Sequence, residues 1–114
     1  MKRNMELLPQ VSFSILMALS LKPRHGYEIM QQVEEDSLGK IKLGPGGLYT
    51  TLKQLVGENL IEELAGETDD RRRYYKLSKK GWDRLNTELN YFDNIVKIAK
   101  HRNAYEGFTW ALAR

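Results

Sequence analysis

The stretch from Pro45 to Leu77 constrains the fold more than any other part of the chain, because a helical pattern in it is followed at once by two strand patterns. Proline is favoured in the first turn of a helix, where its missing N–H would have had no partner. Gly57 and Asn59 weaken and end the pattern, and asparagine tolerates the left-handed conformation found at helix C-termini. One apolar face follows the i, i+4, i+7, i+8 spacing of a helix and comprises Leu48, Leu52, Leu55 and Val56. These residues predict an amphipathic helix.

The two strand patterns are short and are joined by a turn. Residues 60–64 are apolar at both ends, residues 66–70 are small and acidic, and residues 73–77 are rich in aromatic side chains. Successive side chains of a strand point to opposite faces, so we expect one of Tyr74 and Tyr75 to face the core and the other to be exposed. The pattern predicts a two-stranded β-ribbon.

Two helical patterns precede this unit. Residues 11–21 are apolar on most helical faces and predict a buried helix. Lys22 and Pro23 close it, because proline disfavours helix at the residue before it. A second helix is predicted from Gly26 to a point between residues 36 and 39, with apolar residues about one turn apart.

A last helix follows the ribbon. Ser78 is expected to cap it at its N-terminus, and it is expected to run to about Arg102. The order helix, helix, helix, strand, strand, helix is that of a winged helix-turn-helix. We therefore predict a mainly α fold with a two-stranded β-wing, divided into a DNA-binding domain over residues 1–77 and a dimerisation helix with a tail over residues 78–114.

Basic residues are concentrated in two parts of the chain. The net charge is only +3, but residues 71–84 hold seven lysines and arginines against one acid, and residues 40–53 hold three lysines and no acid. Residues 58–70 are acidic instead. Such segregation favours a surface that faces a polyanion, with an ordinary solvated basic face as the alternative.

The outward face of the predicted third helix is the candidate for contact with DNA bases. With Leu48 at the centre of the buried side, a turn of 100° per residue places Thr50 opposite the core. This face carries no acid, and a helix N-terminus with glycines suits a phosphate. The residues expected to contact DNA here are Lys42, Gly46, Gly47, Tyr49, Thr50, Lys53 and Gln54. The alternative is an ordinary polar helix face.

The arginine run at the start of the second strand is the candidate for contact with the DNA backbone. A wing can place Arg71, Arg72 and Arg73 on phosphates or in a narrowed minor groove. Pairing with Asp69 and Asp70 on the surface is the alternative, and it would be worth little energetically. At least one arginine is expected to be structural, with Arg73 favoured because it begins the strand.

The last helix carries a heptad-like apolar seam. Its members are spaced alternately three and four residues apart and are Trp82, Leu85, Leu89, Phe92, Val96 and Ala99. Ile95 and Ile98 widen this stripe beyond what a small domain needs for its own packing. We therefore predict a homodimer built on this helix, with docking of the helix onto its own domain as the alternative.

The same seam suggests a ligand site. Two-fold symmetry can bring Phe92 opposite its own copy, and facing aromatic rings can hold a flat molecule between them. We predict that Trp82, Phe92 and Val96 bind a small aromatic or apolar effector that weakens DNA binding. Ordinary filling of the interface by Phe92 is the alternative.

Four separate segments resemble the signature segments of PadR-type transcriptional regulators. In order, they are His25-Gly26-Tyr27-Glu28-Ile29, Gly44-Pro45-Gly46-Gly47-Leu48-Tyr49, Asn59-Leu60-Ile61 and Arg71-Arg72-Arg73-Tyr74-Tyr75-Lys76-Leu77-Ser78. The resemblance covers roughly residues 7–96 and implies a winged-helix repressor that dimerises through its last helix and binds an inverted-repeat operator. The short chain is similar to the compact subgroup, in which multidrug-binding regulators occur. Gly47 stands where a threonine or serine is common, and Asn59 stands where a glycine is common.

The residues do not favour an enzyme, a cofactor or a metal site. The chain has no cysteine, and its two histidines are far apart. Residues 44–47 are rich in glycine but lack the Lys-Ser/Thr pair of a phosphate-binding loop. His25 lies at the start of the second helix, where capping or phosphate contact is more typical than metal ligation.

Two further expectations concern partners and location. A winged helix that binds protein instead of DNA is the main alternative, since a fold does not fix a function. An acid-free helix face beside three arginines favours DNA. The longest apolar run, residues 15–19, is too short to span a bilayer, so we expect a cytoplasmic protein.

Overall fold

The computed structural model describes residues 6–64 and 72–105 of the chain. Within these ranges the helices are α1 (Gln10–Leu19), α2 (Gly26–Asp36), α3 (Pro45–Gly57) and α4 (Lys79–Tyr105). The strands are β1 (Arg24–His25), β2 (Ile61–Leu64) and β3 (Tyr74–Leu77). The mainly helical fold with a β-wing is confirmed, and all four predicted helices are present. No helix in the described ranges is both long and apolar enough to cross a membrane.

The sheet has one strand more than the sequence predicted. Its order is β1-β3-β2, and both pairings are antiparallel. In β1, Arg24 lies opposite Tyr75 and His25 lies opposite Tyr74. A strand of two residues has no alternation to reveal it, so the sequence pattern could not predict it. It attaches the wing to the start of α2.

The core lies between the three short helices, the sheet and the beginning of α4. Its members include Ile15, Leu16, Ile29, Val33, Leu48, Leu52, Leu55, Ile61, Tyr75 and Leu85. Tyr75 is the core-facing tyrosine of β3, as the strand alternation predicted. Tyr74 was expected to be exposed but is half-buried, because its ring packs against His25. Because Leu85 shares this core, α4 begins as part of the winged-helix unit.

The start of α4 is fastened to the corner between α3 and β2. Asn59 has a φ of 63°, the left-handed conformation expected after α3. The Ser78 hydroxyl donates to the carbonyl oxygen of Asn59 at 2.6 Å and accepts from the Gly81 N–H at 2.9 Å. The predicted N-cap role of Ser78 is therefore confirmed.

A buried carboxylate ties the segment before α1 to α4. Glu88 is 2% exposed, and its Oε2 accepts from the Leu8 N–H at 3.0 Å and from Arg84 Nε at 2.8 Å. Arg84 also donates through Nη2 to the carbonyl oxygen of Glu6 at 2.6 Å. These bonds fix the direction in which α4 leaves the core.

Candidate nucleic-acid interface

The outward face of α3 is exposed as predicted. Leu48, Leu52 and Leu55 are buried in the core, whereas Thr50 and Lys53 are exposed. The other predicted contacts on and beside this helix, namely Lys42, Gly46, Gly47, Tyr49 and Gln54, are exposed too. The helix itself contains no acidic residue. This face can offer a hydroxyl, an ammonium and an amide to a nucleic acid.

The N-terminus of α3 carries no side-chain cap among the described residues. Gly44 occupies the N-cap position and Pro45 the first helical position. The orphan N–H groups of this first turn are therefore left for solvent or an anion. A bound phosphate oxygen would satisfy them and would lie at the positive end of the helix dipole.

The close approach of α3 to α2 depends on a glycine. A Cβ built on Gly26 would lie 2.5 Å from the Tyr49 hydroxyl oxygen and 3.0 Å from a methyl group of Leu48. Gly26 therefore allows Tyr49 to lie across the start of α2. The close packing of Tyr49 and Leu48 against Gly26 sets the position of α3 relative to α2.

His25 caps α2 and meets the wing. The His25 ring nitrogen Nδ1 accepts from the backbone N–H of Glu28 at 3.4 Å, and the backbone N–H of His25 donates to Glu28 Oε1 at 3.2 Å. This reciprocal pair is a capping box, which confirms the expected capping role of His25. His25 Nε2 lies 3.1 Å from Arg72 Nη1, and the Tyr74 ring packs edge-on at 5.2 Å. Arg72 thus connects the base of the wing to the start of α2.

The two described arginines of the wing both have protein partners. Arg73 Nε lies 3.5 Å from Glu63 Oε2, with the two side chains 69% and 42% exposed. The acid that pairs with Arg73 is therefore on the neighbouring strand. Arg73 was favoured as a structural arginine, but Arg72 is the one of the two that contacts a buried side chain, that of His25. Arg71, Asp69 and Asp70 lie outside the described residues.

A groove of about 370 Å³ separates α3 from the wing. It is lined by Tyr49, Lys53, Val56, Glu63, Arg73 and Tyr75. Burial raises the pKa of the Tyr75 phenol most, and the Glu63 carboxylate raises it further. The Arg73 side chain acts in the opposite direction and lowers this pKa in part. The Tyr75 hydroxyl therefore stays protonated at neutral pH.

Sequence reasoning missed the partners of the arginines. The sequence indicates no partner for Glu63, and its pairing with Arg73 follows from strand register. His25 and Arg72 are far apart in the chain and meet through β1. No simple sequence signal marks either contact before the register of the sheet is known.

The predicted seam on α4 needs one correction. Leu85 is 1% exposed and belongs to the core of its own chain, so it does not lie on an open dimerisation face. The heptad spacing could not distinguish docking onto the chain's own core from docking onto a partner. The other members, Trp82, Leu89, Phe92, Ile95, Val96 and Ala99, are exposed.

The exposed apolar side chains of α4 continue onto α1. Phe92 packs edge-on against Phe13 with ring centroids 5.3 Å apart. Phe13 and Met17 are only partly buried. Exposed apolar residues of α4 beside partly buried ones of α1 are typical of a surface that a partner covers.

The described residues contain no group of three or more histidine, cysteine, aspartate or glutamate side chains placed to hold a metal ion. The winged-helix unit instead brings together the acid-free face of α3, the N-terminus of α3 and the basic wing.

Comparison with known proteins identifies similar chains. A model of the transcriptional regulator PadR-like family matches residues 15–87. An uncharacterized protein of Lysinibacillus sphaericus is 31% identical over 88 residues, which cover 75% of this chain and 81% of that protein. A PadR family transcription regulator from Clostridium difficile superposes with a TM-score of 0.70 at 28% identity and covers 82% of this chain and 97% of its own. RosR of H. salinarum, in the complex structure hsRosR-S1, superposes with a TM-score of 0.67 at 28% identity over 93% of this chain and 92% of its own.

Proposed function

The chain belongs to the PadR-like family of transcriptional regulators, a class of non-enzymatic DNA-binding proteins, and from that premise we propose that it is a cytoplasmic repressor that binds an inverted-repeat operator as a homodimer. The observation that carries the proposal is the exposed, acid-free face of α3 beside a basic wing. Family membership supports DNA as the polyanion. The winged-helix unit extends past residue 77 to include the start of α4, through the buried Leu85, and the exposed apolar face of the rest of α4 provides dimerisation.

Each part of the surface has a separate task in this proposal. Thr50, Lys53 and Gln54 face base edges in the major groove, where a hydroxyl, an ammonium and an amide discriminate between bases. The N–H groups of the first turn of α3 bind one phosphate. Arg72 and Arg73 of the wing bind the backbone, which contributes affinity without reading sequence.

Selection of bound fragments from random duplex DNA, followed by affinity measurements, tests this division. Thr50→Ala and Lys53→Ala should change the preferred sequence, with about 1–3 kcal/mol lost at the base that each one contacts. Arg72→Ala should weaken binding to all sequences and reduce the salt slope by about one. Because Arg72 also contacts His25, the thermal unfolding of the Arg72→Ala variant is measured in parallel.

Lys97→Ala is the matched control for loss of a basic residue. Lys97 is exposed on α4, belongs to neither α3 nor the wing, and pairs with Asp93 at 2.9 Å. Its removal should leave the salt slope unchanged. If the parent selects no sequence and Arg72→Ala binds duplex DNA as well as the parent does, the alternative of a protein-binding winged helix is favoured.

We further propose that a flat aromatic or apolar compound binds between the two copies of α4 and releases the repressor from DNA. Trp82, Phe92 and Val96 support this, because they are 43%, 37% and 48% exposed in the single chain. Two such faces related by a two-fold axis would enclose an apolar space. A ligand there can alter the distance between the recognition helices.

A further inference from the structure

We propose that Glu63 is a positioning residue that increases discrimination between operator and other DNA by holding Arg73 of the wing. The inference rests on the proposed DNA-binding function and deepens it. It starts from an acid that lines the groove between α3 and the wing, on a surface otherwise suited to phosphates. An acid in that place repels DNA, so its presence calls for a role.

Stability of the wing does not explain Glu63. The Glu63 and Arg73 side chains are 42% and 69% exposed and 3.5 Å apart, and exposed pairs of this kind contribute about 0–1 kcal/mol. The pair therefore costs little to rearrange when a phosphate approaches. The position of the Glu63–Arg73 pair in the groove therefore matters more than its contribution to stability.

Glu63 binds Arg73 in a way that leaves donors for another anion. The contact uses Nε of the guanidinium, and the buried Tyr75 lines the same groove. A guanidinium has five N–H donors in a rigid plane, so it can bind a phosphate while it is held by a carboxylate. Glu63 thus favours one orientation of Arg73 in advance of DNA binding, while the exposed pair can still adjust when a phosphate approaches.

The Glu63–Arg73 pair affects the affinity for operator DNA and the affinity for other DNA differently. Non-specific binding depends on net positive charge near phosphates, and Glu63 cancels one such charge in the groove. In the operator complex α3 fixes the register, so a restrained arginine can meet one phosphate with little loss of side-chain entropy. Glu63 therefore weakens binding to DNA in general more than it weakens binding to the operator.

Adjacent residues of β2 supply a matched pair of variants. Glu62 is paired with Lys76 at 3.8 Å, with 56% exposure, and it does not line the groove. Successive strand residues point to opposite faces, so Glu62→Gln and Glu63→Gln remove the same charge from opposite sides of the wing. Both variants keep the size of the side chain.

The experiment measures the affinities of the full chain for its selected operator and for unrelated duplex DNA over a salt series. Glu63→Gln should steepen the salt slope on unrelated DNA by about one, which corresponds to roughly five- to tenfold tighter binding at 0.1 M salt. Its operator affinity should rise by a smaller factor, so that the ratio of the two affinities falls. Glu62→Gln should change either affinity less than about twofold.

Several outcomes overturn the proposal. Equal effects of Glu62→Gln and Glu63→Gln would show that only net charge matters. An unchanged affinity ratio in Glu63→Gln, with the parent bound to its operator, would remove the inference and leave the proposed function standing. A parent that binds no DNA would remove both.

Arg73→Ala tests whether Glu63 acts through the arginine. In the Arg73→Ala background, Glu63→Gln should no longer lower the affinity ratio. An undiminished effect there would contradict the positioning role. Thermal unfolding of all variants checks that the wing is intact, and the exposure of both pairs predicts small changes.

Discussion

Gly81 lies in the first turn of α4, directly against the carbonyl oxygen of Leu60. A Cβ at this position would overlap that backbone atom, which cannot rotate away. Gly81→Ala should therefore destabilise the protein by about 1–3 kcal/mol, although alanine in a helix normally gains about 1 kcal/mol over glycine. Chemical denaturation followed by circular dichroism measures the difference.

Gly57→Ala is the control for this substitution. Gly57 ends α3, and a Cβ there would meet no described atom within 4 Å. Its replacement should leave stability unchanged or raise it by up to about 1 kcal/mol. Similar changes in both variants would contradict the close contact with Leu60.

Residues that act on their immediate neighbours could be predicted from sequence. The cap at Ser78 and the left-handed Asn59 depend on a few adjacent residues, and both are present in the structure. Contacts between distant segments could not be predicted in the same way. The partners of Arg73 and Glu88 are set by sheet register and by the path of the chain before α1.

Whether a helix or strand could be predicted from the sequence depended on its length. The thirteen residues of α3 span several turns, so their apolar period was clear, and the exposed DNA-facing side follows from it. The two residues of β1 have no period at all. The sequence therefore predicted the candidate recognition helix well and missed the strand that joins the wing to α2.

The long helix α4 illustrates a second limit at this scale. Its apolar stripe is real, but one side of it packs into the chain's own core through Leu85. The buried Glu88 interrupts the stripe with a charge, which the Arg84 side chain and the Leu8 N–H stabilise. A heptad count treats the stripe as a single surface, whereas the structure divides it between the core and an exposed face.

For the molecule as a whole, the exposed face of α4 predicts a dimer. Leu89 is 37% exposed on this face, beside Phe92. Leu89→Glu would place a charge in the interface and should yield monomers in analytical ultracentrifugation. Operator affinity should then fall by about two orders of magnitude or more, because the two half-sites are no longer bound by one linked unit.

Asn90→Glu is the control for the dimer. Asn90 is exposed and, at 100° per residue, lies about 160° around α4 from Phe92 of the exposed apolar face. The variant adds the same negative charge and should remain dimeric. A monomeric parent at micromolar concentration would contradict the predicted assembly.

A dimer with apolar residues at its axis predicts a response to flat aromatic compounds. Trp82 is 43% exposed on this face and can report binding by quenching of its fluorescence, with Trp110→Phe used to remove the second tryptophan of the sequence. Planar cations and phenolics form the panel. A compound that binds should lose affinity in Phe92→Ala and should lose less of it in Tyr91→Ala, whose ring packs edge-on against Phe92.

Release from DNA adds a thermodynamic requirement to this prediction. A ligand shifts the dimer towards a geometry that cannot fit the operator only if it binds that geometry more tightly. The coupling is reciprocal, so operator DNA must weaken compound binding by the same factor by which the compound weakens operator binding. Titrations in both directions measure these two factors. Quenching with unchanged operator affinity would identify a binding site without regulation, and no quenching at high micromolar concentrations would remove the effector from the proposal.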